Sequence, residues 1–183
     1  MSADAELLKI VIQNLLINGG LSTWSNTAVA PDSWTSGGTI TFTKDTSDYA
    51  DEAQPYSVSM VGSGSGQTYI TQSVGGTKLA TLKGKPVTLA ARLKKDTAGA
   101  ANLGRIAIHW TCTATGAQSF TKPGNLIQQG DYVWNLLTIT TCTDLTFLAV
   151  RIYQDSATTP DATHSVKVDQ VSLVPGTLPM AAR

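Results

Sequence analysis

The chain has 183 residues, enough for one domain with its own core, and its 13 basic and 13 acidic side chains cancel to zero net charge. Charged residues make up only 14% against 42% hydrophobic, so polar surface must come from Thr, Ser, Gly, Asn and Gln. That balance argues against a nucleic-acid partner, which would require clustered Lys and Arg, and no run of 18 apolar residues is present to span a membrane.

Residues 3–12 read as a short helix, with Ser2 or Asp4 as its cap and acidic residues in its first turn. Leu7, Leu8, Ile10 and Val11 make this segment too apolar to stand alone in water, so it is expected to serve in attachment or oligomerisation. The β-branched run Ile10-Val11-Ile12 allows a second reading, a strand continued backwards from residue 14. Acidic residues near the start, where a secretory signal would be basic, predict no signal peptide. That leaves a chain kept in the cytoplasm, one whose signal was already removed, or one that leaves the cell inside a particle.

Asn14-Leu15-Leu16-Ile17-Asn18-Gly19-Gly20 is an apolar run entering a glycine turn, followed by Trp24 and by Pro31-Asp32-Ser33-Trp34. Strands are predicted at 39–43, 56–60, 68–74, 85–93, 105–112, 132–143, 145–153 and 164–173 from period-2 alternation bounded by turn residues. Gly62-Ser63-Gly64-Ser65-Gly66 reads as a hairpin connection, and a tight turn near Asp144 is expected to pair the strands on either side of it. The last strand is expected to lie beside the opening stretch. About nine short strands and one helix describe an all-β protein, an antiparallel β-sandwich or jelly roll with a short N-terminal helix. The expected divisions are 1–13 for the helical segment, 14–176 for the sandwich and 177–183 for a tail.

Little in the chain looks catalytic. His109 points outward from a strand and His164 begins one, and neither a GxSxG elbow nor an HExxH pair occurs. The acids Asp45, Asp48, Asp51 and Glu52 crowd one loop, where carboxylates ordinarily serve as turn formers. The chain is therefore expected to be no enzyme and to use no organic cofactor. Asp169 on the last strand, with Asn18 or the oxygens after it, is a candidate structural calcium site. Cys112 and Cys142, both flanked by threonines, are either a disulfide or two buried thiols. A glycan surface would need exposed aromatic rings. Trp34 and Trp110 read as core, which leaves Trp24, Tyr49 and Tyr69 as candidate platforms.

The opening stretch with Trp24 and Pro31-Asp32-Ser33-Trp34, together with the closing Val168-Asp169-Gln170-Val171-Ser172-Leu173, resembles the carbohydrate-binding-module-like jelly rolls. The similarity is greatest to those of tailed-bacteriophage virion proteins, both fibres and head-decoration proteins, and covers residues 13 to 176. In such families the segment after the glycine turn carries Phe-Glu, whose acid helps hold structural calcium. This chain has Leu21-Ser22-Thr23 there, although Asp169 matches the closing aspartate. The resemblance implies a non-enzymatic virion surface protein, a capsid decoration (cement) protein or short fibre. Such a protein would be made in the host cytoplasm and dock on a major capsid protein or other virion protein as a homo-oligomer, a trimer by analogy. The alternative it implies is a module that binds a polysaccharide through exposed aromatics.

Overall fold

The computed structural model describes residues 14–50, 55–63, 66–96, 103–122, 131–155 and 162–178. The predicted N-terminal helix, with Leu7, Leu8, Ile10 and Val11, lies outside the described residues. Ten strands follow: β1 (Thr35–Gly37), β2 (Thr39–Asp45), β3 (Ser57–Ser63), β4 (Thr68–Val74), β5 (Pro86–Lys95), β6 (Leu103–Cys112), β7 (Gly116–Lys122), β8 (Val133–Thr140), β9 (Leu145–Asp155) and β10 (Val166–Pro175). Among the described residues one short helix, α1 (Gly76–Thr81), sits between β4 and β5.

The strands form two five-stranded sheets, ordered β1-β4-β9-β6-β7 (sheet I) and β2-β3-β10-β5-β8 (sheet II). Every strand pair is antiparallel. Alternation explains the packing. Val87, Leu89, Ala91 and Leu93 of β5 are all fully buried, as are Leu148, Val150 and Ile152 of β9. These rows face one another across the sandwich with Val58, Met60, Ile108, Val166 and Val168, in one continuous hydrophobic core. Trp34 is in that core at 5% exposure, and Trp110 packs against it. The fold is the all-β sandwich that the alternation predicts.

Two expected pairings do not occur. The strands on either side of Gly62–Gly66 are β3 and β4, and those on either side of Asp144 are β8 and β9, and in each case the two belong to opposite sheets. Neither pair of strands forms a hairpin. Alternation cannot reveal this, because a strand buries the same set of side chains whichever sheet it joins. The helix α1 and the edge strands β1 and β7 were not predicted. β1 has only three residues, and most of β7 is exposed, so neither carries a clear apolar rhythm.

The opening stretch does run beside the last strand, though as turns and coil instead of a sheet strand. Leu15 N donates to Leu173 O (2.9 Å), and Val171 N donates to Gly19 O (2.7 Å). Asn14 completes the contact: Leu173 N donates to its Oδ1 (3.0 Å) and its Nδ2 donates to Val171 O (3.1 Å). On the sheet I side, Gln72 of β4 is buried and acts as a clamp. Its Nε2 donates to Ile17 O (2.8 Å) and Ser33 O (2.9 Å), and Ile17 N donates to its Oε1 (2.7 Å). The segment thus meets the need of buried backbone for partners without joining either ladder.

Cys112, the last residue of β6, is joined by a disulfide to Cys142 beyond β8, with Cα atoms 6.2 Å apart. The bond ties sheet I to sheet II and closes a loop whose ends are 30 residues apart.

Two predictions follow from these ties. Gln72→Ala removes three hydrogen bonds and leaves Ile17 and Ser33 backbone groups without partners, so urea unfolding should show a loss of about 2–4 kcal/mol. A midpoint equal to that of the parent would mean that the clamp is dispensable. Cys142→Ser should lower stability by about 3.5–4 kcal/mol in the chain-entropy picture, and reductant should lower the melting temperature of the parent protein but not of the variant.

Candidate functional site

The two sheets present different outward faces. On sheet II the outward charges neutralise one another. Lys167 of β10 reaches Asp45 at 2.7 Å and Asp48 at 2.6 Å, and Lys94 of β5 reaches Asp48 at 2.9 Å. Burial opposes the charge on Asp45, but hydrogen bonds from Lys167 and Ser47 outweigh it and lower the carboxyl from 3.8 to about 2. Asp48 moves in the same direction, with burial again outweighed by hydrogen bonds from Lys167 and Lys94. The loop after β2 is thereby strapped over the sheet, and Tyr132 Oη donates to Asp48 O (2.8 Å). Burial, assisted by the charges of Asp48, Asp169 and Asp45, raises the Tyr132 phenol above its ordinary value. Trp134 lies further along this face, 38% exposed.

Sheet I carries a different arrangement. Strand register sets Tyr69 of β4 beside Tyr153 of β9 and Tyr153 beside Arg105 of β6, with Arg151 and His109 in the neighbouring outward rows. The two tyrosine rings lie 5.1 Å apart, tilted by 56°. The Arg105 guanidinium stacks over the Tyr153 ring at 4.2 Å, and that of Arg151 over the Tyr69 ring at 4.3 Å. Arg151 Nη1 donates to Tyr153 Oη (3.3 Å), and the same phenol shares a hydrogen bond with His109 Nε2 (3.2 Å). Ala107 and Ala149 occupy outward positions yet are buried, because the longer side chains lie across them. The ring of Tyr69 leans over β1, where Gly37 leaves room: a Cβ there would stand 2.2 Å from Tyr69 Cζ.

Packing these side chains against one another removes much of their rotamer freedom in advance, so less entropy is left to lose on binding. It also changes the titration of His109. Burial, and then the charges of Arg151 and Arg105, pull its imidazole from 6.5 down to about 4. At neutral pH the cluster is therefore two guanidinium cations, two phenols and a neutral imidazole.

The residues singled out from sequence are scattered by the fold. Tyr69 is in the cluster just described. Trp24 is a correction: it is only 9% exposed, packs in the core 6.5 Å from the Tyr56 ring and donates from Nε1 to Val29 O (2.9 Å), so it offers no surface platform. Its loop folds inward because Leu21, fully buried, pulls it down and Tyr56 Oη donates to Leu21 O (2.7 Å). Tyr49 is 37% exposed in the strapped loop on the sheet II side. Arg105 and Arg151 were not singled out, and His109 was weighed only for catalysis, although alternation places these residues and Tyr153 on the outward side. Only the register of β4, β9 and β6 shows that they meet.

Of the two candidate calcium donors, Asn18 is already engaged within its own loop. A hard cation takes several free oxygens, whereas Asn18 Oδ1 accepts from Thr23 N (3.0 Å) and its Nδ2 donates to Thr23 O (2.7 Å) and Asp32 O (2.8 Å). The amide closes the 18–34 loop. Asp169, fully buried at the register shift within β10, faces Arg92 at 3.9 Å. Among the described residues, Cys112, Cys142 and Asp144 also cluster as metal ligands would, but both sulfurs are in the disulfide.

No protein-family model and no curated protein sequence matches this chain. Its fold is similar to those of several solved structures. One is the enzymatically active domain of tailspike protein 4 of bacteriophage CBA120, at a TM-score of 0.61 and 15% identity over 89% of this chain; the match spans only 21% of that protein. Another is the CBM22-1 xylan-binding domain of Paenibacillus barcinonensis Xyn10C, at 0.57 and 10% identity, covering 91% of this chain and 93% of the other. A third is a family 16 carbohydrate-binding module, at 0.57 and 16% identity, covering 88% and 99%. The fold is a β-sandwich jelly roll similar to those of carbohydrate-binding modules.

The perturbed histidine generates a test. A histidine whose folded value lies below its unfolded one binds more protons when unfolded, so stability falls as pH drops from 6.5 towards 4. His109 should titrate near pH 4 by NMR, and His109→Gln should flatten the stability profile over that window. A His109 midpoint near 6.5 would mean that neither burial nor the two arginines act on it.

Proposed function

We propose that this chain is a non-catalytic glycan-binding module whose binding face is the outer surface of sheet I. The observation that carries this reading is the stacked cluster of Tyr69, Tyr153, Arg105 and Arg151. Sugars are recognised by flat rings against their C–H faces and by fixed polar groups against their hydroxyls. On this face Tyr69 supplies the ring, Tyr153 lies buried at 2% exposure, and the arginines supply fixed polar groups, with Thr71 on the same side of β4. Similarity in fold to domains that bind polysaccharides supports the reading. The Cys112–Cys142 disulfide suits a protein that works outside the reducing cytosol.

A second reading rests on the similarity to a phage tailspike domain. In that reading the same sandwich sits on a virion surface, as a fibre or capsid decoration protein, with residues 1–13 docking it to the particle or to copies of itself. The two readings combine without conflict, because a virion protein can carry a glycan-binding face.

Affinity electrophoresis against a panel of plant, algal and bacterial polysaccharides tests the main reading. At least one should retard the parent protein, and Tyr69→Ala should weaken that retardation about tenfold, in line with about 1–1.5 kcal/mol for a lost aromatic contact. Loss on Trp134→Ala with Tyr69→Ala unaffected would move the site to sheet II. For the second reading, a chain lacking residues 1–13 should lose any self-association seen in analytical ultracentrifugation.

A further inference from the structure

Most partnered cations on the outward faces are easy to account for. Arg92 faces Asp169, and Lys94 and Lys167 share Asp45 and Asp48. Arg151 differs. It forms no ion pair among the described residues, its enclosed Nε has no hydrogen-bond partner, and its one side-chain hydrogen bond goes to the neutral phenol of Tyr153. It is half-buried at the centre of the sheet I face, with its plane held against Tyr69.

That stacking has a consequence for what can bind. A sugar stacks on the open face of a ring, but here the guanidinium of Arg105 lies 4.2 Å from the centre of the Tyr153 ring and that of Arg151 lies 4.3 Å from the centre of the Tyr69 ring. What the cluster turns towards a ligand is therefore rich in N–H donors. A guanidinium has five donors in a fixed fork and no acceptor, and that fork matches the two oxygens of a carboxylate or sulfate. A neutral hydroxyl answers one donor at a time and leaves the charge uncompensated. Arginine is also the more weakly hydrated cation, so it gives up water to an anion readily.

We infer that the sheet I face recognises an acidic saccharide, with Arg151 as the residue that pairs with a uronate carboxylate or sulfate ester on the sugar, and Arg105 beside it. This inference rests on the glycan-binding reading above and narrows its ligand class. Tyr69 and Tyr153 then act as rigid backing that holds the guanidiniums in plane, and His109, wedged against Tyr153, fixes the position of the phenol.

The test uses matched pairs of polysaccharides that differ only in charge: polygalacturonate against its methyl ester, and chondroitin sulfate against its desulfated, carboxyl-esterified form. Xylan and galactan serve as neutral controls. The parent protein should bind at least one acidic member at least tenfold more tightly than its neutralised partner, and raising salt from 50 to 500 mM should weaken that binding. Arg151→Gln should abolish the preference for the acidic form while keeping the parent's melting temperature, and Arg151→Lys should restore it only in part, because it keeps the charge without the fork.

Equal binding to charged and neutralised partners would overturn the acidic inference and leave glycan binding intact. Retardation by neutral xylan or galactan alone would do the same. No retardation by any polysaccharide, acidic or neutral, would remove the glycan reading and this inference with it. Inorganic sulfate competing at the same concentration as the sulfated chain would mean a simple anion site and overturn the saccharide assignment.

Discussion

A backbone group removed from water has to be hydrogen-bonded, and this molecule places a long irregular segment, residues 14–34, against a sandwich without giving it a sheet to join. Side-chain amides supply the missing partners. Asn14 bonds the last strand, Asn18 closes the loop on itself, and Gln72 bonds Ile17 and Ser33 from within sheet I. Each amide offers both donor and acceptor, so it can imitate a passing strand. The functional face depends on the same constraint. Gln72 is an inward residue of β4, and fixing it fixes the phase in which Tyr69 and Thr71 point outward.

The two outward faces show how one architecture can carry different electrostatics. On sheet II, carboxylates and ammonium groups sit within 3 Å and the field they produce is short-ranged. That arrangement holds a loop in place. On sheet I, the guanidiniums of Arg105 and Arg151 sit over tyrosine rings, and Arg151 forms no ion pair among the described residues. The neutral His109 belongs to the same logic, since a third cation in that space would be repelled by both arginines. The position of Gly37 is a quieter requirement, because any side chain there would displace Tyr69.

Much of the core was legible from alternation alone. The inward rows of β5, β6 and β9 are those that period 2 identifies, and Trp34 took its core place from the turn before it. Trp24 was misjudged because its burial depends on a loop that folds back under Leu21 and Tyr56, contacts made by residues 35 positions apart. Pairing was misjudged at Gly62–Gly66 and at Asp144 because alternation is the same whichever sheet a strand joins. Arg105, His109, Arg151 and Tyr153 each looked like an ordinary solvated strand residue. Nothing within either strand marks them.

By itself, the sequence determined the fold class, the inward faces of the long strands and the closeness of the two chain ends of the sandwich, because these follow from local periodicity and from the burial it demands. Only the tertiary structure decided which strands are neighbours, that Cys112 and Cys142 bridge the two sheets, and that two arginines and two tyrosines share one surface. The reason is that sheet neighbours are chosen by non-local register. β4, β9 and β6 come from distant parts of the chain, and their outward residues acquire chemistry only where hydrogen-bonded ladders set them side by side.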